Sequence, residues 1–138
     1  MKKIVILLCC LVLFVGCNNK TKEPYQEVSY SELQTMIENK EDFVLVMGSR
    51  QWSHCASYKV TMTDVVNKYD VTIYYIDIYN LTDIELSKLN NKFSFTGTPT
   101  TVFVEDGEEK DPQFNRIDGA KDYEYIVNKL KDNGYIKE

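Results

Sequence analysis

Five apolar residues in a row, Phe43-Val44-Leu45-Val46-Met47, closed by Gly48, constrain this chain more than any other feature. Successive side chains of a strand point to opposite faces of its sheet. A strand wetted on one face therefore alternates apolar with polar residues, whereas an unbroken run needs cover on both faces. The run predicts a central strand between two layers, and its flanks supply helices for them. Upstream, Leu33, Met36 and Ile37 recur at helical spacing behind Ser29 or Ser31 as cap, and Asn39-Lys40-Glu41-Asp42 ends the helix. Downstream, a helix is expected from about Ser53 to Tyr69, then a second buried strand from Val71 to Ile78. Thr82 or Asp83 opens a third helix with Ile84, Leu86 and Leu89 as its apolar side. Thr100 to Glu105 is a third strand, Asp106-Gly107 a hairpin turn, and Phe114 to Ile117 the returning strand. The stretch from Glu105 to Asp111 reads as a solvated acidic loop. Asp122 starts a last helix carrying Tyr125, Ile126, Val127 and Leu130, which ends at Asn133-Gly134. This order predicts an α/β fold, a mixed sheet with helices on both faces. The 138 residues allow one such domain.

The beginning of the chain reads as an export signal. Met1-Lys2-Lys3 is a positive start, and Ile4 to Val15 is an apolar run shorter than a comfortable membrane span. The run ends in Phe14-Val15-Gly16-Cys17, which resembles the bacterial lipobox, where a small residue precedes the cysteine that receives diacylglycerol. Phe14 stands where a Leu is usual, with Leu13 beside it. The expected organisation is a signal peptide over 1–16, a lipidated Cys17 and polar tether over 17–25, and a domain over 26–138. Localisation follows: the outer face of the cell membrane, held by lipid. Cys9 and Cys10 would leave with the signal and Cys17 would be blocked, so Cys55 is the one free thiol expected in the mature chain. An exported domain could use a disulfide, but this thiol has no internal partner.

Several classes are disfavoured. With a net charge of −5 and no basic stripe, a nucleic-acid partner is not expected. An acidic surface does not seek anionic headgroups, so membrane attachment would rest on the lipid. His54 is the one histidine of the chain, and it neighbours Cys55; a metal site needs more ligands than that. No phosphate-cradling glycine loop is present. No metal or other cofactor is expected.

Two motifs carry a resemblance. Gly97-Thr98-Pro99-Thr100-Thr101-Val102-Phe103 resembles the cis-proline segment of the thioredoxin superfamily; X-Pro bonds are the ones that adopt the cis form cheaply. Gly48-Ser49-Arg50-Gln51-Trp52-Ser53-His54-Cys55 lies where a strand gives way to a helix, the place of Cys-x-x-Cys in that superfamily. There a helix N-terminus favours a thiolate. Together they resemble thioredoxin-like proteins, and in particular bacteriocin transport accessory proteins and thiol-disulfide oxidoreductases, over roughly Phe43 to Lys131. The resemblance implies a thioredoxin fold. It places Cys55 at the second, resolving position and Trp52 at the first, so that Trp-Ser-His-Cys replaces Cys-x-x-Cys. In a register shifted by one, Ser53 takes the first position; in both, the nucleophilic cysteine is missing. The strand before it holds Val46-Met47 where many thioredoxins bury a carboxylate.

Two functions follow from the resemblance. In one, Cys55, assisted by His54, forms mixed disulfides with a cysteine-containing exported protein or peptide, and an outside thiol releases it. In the other, the protein is a non-catalytic accessory lipoprotein that holds an exported segment on Trp52, Ser53, Thr98 and Pro99. The reading of Cys55 as a packed, inert thiol is favoured over an active one, and Trp52 reads equally as packing against the proline loop.

Overall fold

The computed structural model describes residues 21–137. Its elements are β1 (Gln26–Glu27), α1 (Tyr30–Glu38), β2 (Phe43–Gly48), α2 (Ser53–Tyr69), β3 (Tyr74–Asp77), α3 (Asp83–Phe93), β4 (Thr100–Glu105), β5 (Glu108–Glu109), β6 (Ile117–Asp118) and α4 (Tyr123–Asp132). They form one mixed sheet in the order β1-β3-β2-β4-β5, with β6 also paired to β4. β2 runs parallel to β3 and antiparallel to β4, so Leu45 lies between Tyr74 and Val102. The unbroken apolar run of β2 has the cause expected of it. Val44 and Val46 enter a cluster with Tyr58, Met62, Phe103, Ile126 and Leu130 beneath α2 and α4. Phe43, Leu45 and Met47 enter another with Leu33, Met36, Leu89, Phe93 and Val102 beneath α1 and α3. Each fully buried aliphatic side chain contributes about 1.5–3 kcal/mol, so both layers anchor the same central strand.

Local chemistry sets the helix starts. Ser29 caps α1 and Thr82 caps α3, each in a capping box with Glu32 or Glu85 three residues on. The hydrogen bond from the Ser29 backbone, then its side chain, holds the Glu32 carboxyl below its ordinary value. Asp122 caps α4 through the Tyr125 N–H. The cap of α2 is Trp52, whose side chain makes no such bond. The Asp106-Gly107 turn needs its glycine: φ is +76°, and a Cβ there would lie 2.3 Å from the Ile37 carbonyl oxygen.

The structure corrects the sequence reading in six places. β3 is laddered only from Tyr74 to Asp77, because Ile78 already begins a 3-10 turn in which the Asp77 carboxylate accepts the Tyr79 N–H. Ile84 is exposed rather than on the apolar side of α3, where Leu89 and Phe93 carry the contact. Tyr125 is likewise largely exposed, and Lys121 and Lys129 lie over its ring. The return from the hairpin is not one strand through Phe114. Residues 112–115 form a turn, the Asp111 carbonyl accepts the N–H groups of Phe114 and Asn115, and Phe114 is exposed. The acidic loop is not wholly solvated: the Glu109 carboxylate is buried against Arg116, which donates Nε to Oε1 at 2.8 Å and Nη2 to Oε2 at 2.6 Å. Arg116 also donates to the carbonyls of Phe93 and Ser94, fastening the end of α3 to the sheet edge. Finally, the end of the expected tether is docked. Lys22 pairs with Asp70, Glu23 with Lys59, Pro24 is buried, and Tyr25 stacks on Tyr75. Cys17 and the signal segment lie outside the described residues. Among the described residues no helix is long and apolar enough to cross a membrane.

Candidate functional site

The loop from Ser49 to Trp52 leaves the sheet at its centre and divides two surfaces. On one side is a groove of about 400 Å³ between α3 and the loop before β4. Its apolar lining is Trp52 from the α2 cap with Ile78, Leu86 and Phe95; Asp83, Ser87 and Asn90 of α3 and the Thr96-Gly97-Thr98 turn complete it. Trp52 is 52% exposed, an unusual share for so large an apolar side chain. The Thr98–Pro99 bond is cis, as the sequence suggested, and Pro99 is buried. Pro99 accepts the Gly119 N–H at 2.8 Å, and the Thr100 hydroxyl donates to the Gly97 carbonyl at 2.8 Å. Thr98 is the exception in this well-bonded turn. Its Oγ1 is buried without a partner, and its main-chain groups pair with no backbone among the described residues. Polar groups in such places are ordinarily satisfied.

Cys55 lies on the other side. It is 7% exposed, in the first turn of α2, with its N–H on the Trp52 carbonyl at 3.1 Å. Its Sγ accepts the N–H of the buried Ser49 at 3.4 Å. The sulfur faces a separate cavity of about 440 Å³ that neither Trp52 nor Thr98 lines. Tyr25 and Tyr75, with rings stacked at 4.9 Å, form its wall. Glu27 pairs with Arg50, and Glu23 with Lys59 at 2.9 Å, around its mouth. Burial pushes the Tyr25 phenol well up, with Tyr58, Tyr75 and Cys55 adding to it. Burial also pushes Tyr75 up, helped by Asp77 and Cys55 and opposed by Arg50.

The residues singled out from sequence are thus sorted rather than gathered. Trp52, Thr98 and the Gly97 turn meet at the groove; Cys55 does not join them. Ser53 and His54 are exposed on the first turn of α2, while Cys55 beside them is buried. Among the described residues no cluster of three or more His, Cys, Asp or Glu could hold a metal. Sequence reasoning missed Tyr25, Tyr75, Arg50 and Lys59 as neighbours of Cys55. A signal was present: Glu23, Tyr25 and Glu27 alternate at strand spacing and all face the cavity.

No protein-family model matches the chain. Solved structures do resemble it. A thioredoxin from Aeropyrum pernix is 25% identical, with a TM-score of 0.59 over 76% of this chain and 83% of that one. A thioredoxin from Trypanosoma brucei brucei is 16% identical, with a TM-score of 0.62 over 82% and 94%. One from Nicotiana alata is 20% identical, with a TM-score of 0.62 over 83% and 95%. The chain is thioredoxin-like: its α/β architecture is the thioredoxin fold.

Proposed function

We propose that this is an exported lipoprotein, anchored through Cys17, whose thioredoxin-like domain holds an extended segment of an exported protein or peptide in the groove between Trp52 and Thr98. The observation that carries this reading is the half-exposed Trp52 facing, across an apolar floor, a threonine whose polar groups lack partners. An extended segment has main-chain donors and acceptors for Thr98 and alternate side chains for the floor. Exposed aromatic anchors of this kind typically dominate such interfaces, at about 2 kcal/mol each. The reading needs no reaction, which suits a site where Trp52 stands in place of a first cysteine. It is the accessory-protein alternative, and transport of a bacteriocin or other peptide is one setting for it.

Selection of a displayed library of extended peptides tests it. Selected sequences that carry apolar residues at alternate positions, and that release from the Trp52→Ala variant, support the groove. Selection that survives that substitution contradicts it. Membrane attachment is tested separately by metabolic labelling with a radiolabelled fatty acid, which Cys17→Ser should abolish.

A second reading, monothiol exchange through Cys55, has one observation in its favour: Sγ borders a solvent-connected cavity. Exchange would then take place away from the groove. His54, exposed on the helix surface, has no contact with the sulfur that would assign it a part.

A further inference from the structure

We propose that the end of α2, with the α4 residues packed beside it, is a docking surface for anionic phospholipid headgroups, so that the domain rests on its membrane by this pole and presents the groove at the other. The proposal rests on the anchoring through Cys17 in the reading above, and adds which face of the domain meets the bilayer.

The first support is where the chain meets the domain. The Asn67 side chain, in the last turn of α2, holds the main chain of Lys22 at both of its polar groups. Its Oδ1 accepts the Lys22 N–H at 2.9 Å, and its Nδ2 donates to the Lys22 carbonyl at 3.4 Å. The same Nδ2 donates to the Thr63 carbonyl at 2.6 Å, which fixes the amide in place. The Lys22 ammonium pairs with Asp70, the residue that caps the helix end. Cys17 stands five residues before Lys22, a separation of at most about 18 Å. A lipid on Cys17 therefore keeps the end of α2 within that distance of the bilayer surface. The 17 residues of α2 put its Trp52 end about 25 Å away.

The second support is what that pole carries. Lys68 Nζ lies 5.2 Å from the centre of the Tyr69 ring and 5.7 Å from that of Tyr123, the first residue of α4. A hydrogen bond with Tyr123 holds the Tyr69 phenol below its ordinary value; burial opposes it, and the charges of Lys68 and Lys131 add to it. Lys68 is exposed, and Tyr69, Tyr123 and Lys131 are half-buried. Lysine and tyrosine suit a headgroup layer, because the stem or ring packs at its depth while the polar tip meets phosphate and water. Among the described residues Lys22, Lys59, Lys92 and Lys110 have carboxylate partners, whereas Lys68 and Lys131 have none. The net charge of −5 thus conceals a pole where two ammonium groups stand free beside two tyrosines.

The two supports need each other. One lysine near an anionic surface is worth about a fivefold preference for it. Two lysines are too few to hold a free acidic protein at a membrane. They are enough to orient a domain that a short lipid tether already keeps there, because the tether makes docking an intramolecular event. The lipid supplies proximity, and Lys68 and Lys131 choose the face. The groove at the start of α2 is then left open to exported segments on the side away from the bilayer.

The test uses the full-length chain, processed in bacterial membranes and reconstituted into vesicles of phosphatidylcholine alone or with an equal share of phosphatidylglycerol. Lysines are acetylated with acetic anhydride and mapped by peptide mass, which also reports the lipid on Cys17. With phosphatidylglycerol present, Lys68 and Lys131 should slow by at least about fivefold, the scale of one lysine at an anionic surface. Lys88 and Lys92 of α3, on the opposite face of the sheet, should hold their rates. Lys68→Gln should return Lys131 close to its rate on phosphatidylcholine. A nitroxide on the lipid headgroups should leave the fluorescence of Trp52, the one tryptophan of the chain, unchanged. Equal rates for Lys68 and Lys131 in the two vesicles, slowing at Lys88 and Lys92 instead, or quenching of Trp52 overturns this proposal and leaves the anchor standing. A Cys17 that carries no lipid overturns both.

Discussion

The groove and the cavity lie on either side of one short loop, yet they are built in opposite ways. The groove is apolar at its floor, open, and walled by a rigid turn whose neighbours are hydrogen-bonded. Its exposed feature is a large aromatic that gains by being covered. The cavity is polar at its mouth, covered by the segment that carries Glu23, Tyr25 and Glu27, and has the Cys55 sulfur inside. A thioredoxin with two cysteines would put thiol chemistry and segment binding at one place. Here Trp52 borders the groove, and the Cys55 sulfur borders the cavity on the other side of the helix start. The lesson is that one helix start can separate an exposed aromatic from a buried thiol within three residues of chain.

The largest expected way to break this contrast is Gly48→Val. The added side chain must displace the Tyr75 ring, which lies 2.7 Å from the position of a Cβ. Overpacking of this kind costs about 1–3 kcal/mol, read as a lower urea midpoint. Cys55 should become more reactive toward iodoacetamide as the cavity wall shifts, while binding of a groove-selected peptide holds. Trp52→Ala should do the reverse. Peptide affinity should fall by about 2 kcal/mol, and stability should move by less than about 0.5 kcal/mol because half the ring is already in water.

Alkali should act on the cavity side. The folded chain holds the Tyr25 and Tyr75 phenols above their ordinary value of 10.0, chiefly by burial. Below pH 10.0 both folded and unfolded chains keep these protons, and the contribution is fully present. As pH rises past that value the unfolded chain loses protons first, so stability should fall, and Tyr25→Phe should flatten the fall. The smallest effect is that of salt. The Glu23–Lys59 and Lys22–Asp70 pairs that hold the covering segment are exposed. At about 1 M salt each should lose most of its ~0.2–1 kcal/mol. Cys55 alkylation should then quicken modestly, with peptide binding unmoved.

Much of the framework was legible because it is written locally. The apolar run of β2, the caps Ser29, Thr82 and Asp122, the helix from Ser53 to Tyr69 and the Thr98-Pro99 turn all follow from neighbouring residues. What was not legible depends on distant partners. Glu109 looked solvated because Arg116, which buries it, is reached only after the turn at Pro112. Ile84 looked like core because helical spacing does not say where a covering layer ends. The site divided in the same way. Trp52 and Thr98 were singled out, and both line one groove. Tyr25 was set aside within a polar tether, and its place over Cys55 exists only through the pairing of β1 with β3.

The central claim is that segment binding and the thiol occupy separate faces. Titrating the isotope-labelled chain with a groove-selected peptide, and following every amide and the Trp52 indole by NMR, tests it most directly. The account predicts shifts at Trp52, Leu86, Phe95 and Thr98 that saturate together, with Tyr25, Cys55, Lys59 and Tyr75 unmoved. Saturating shifts at Cys55 and Tyr75, with the Trp52 indole unchanged, would contradict it.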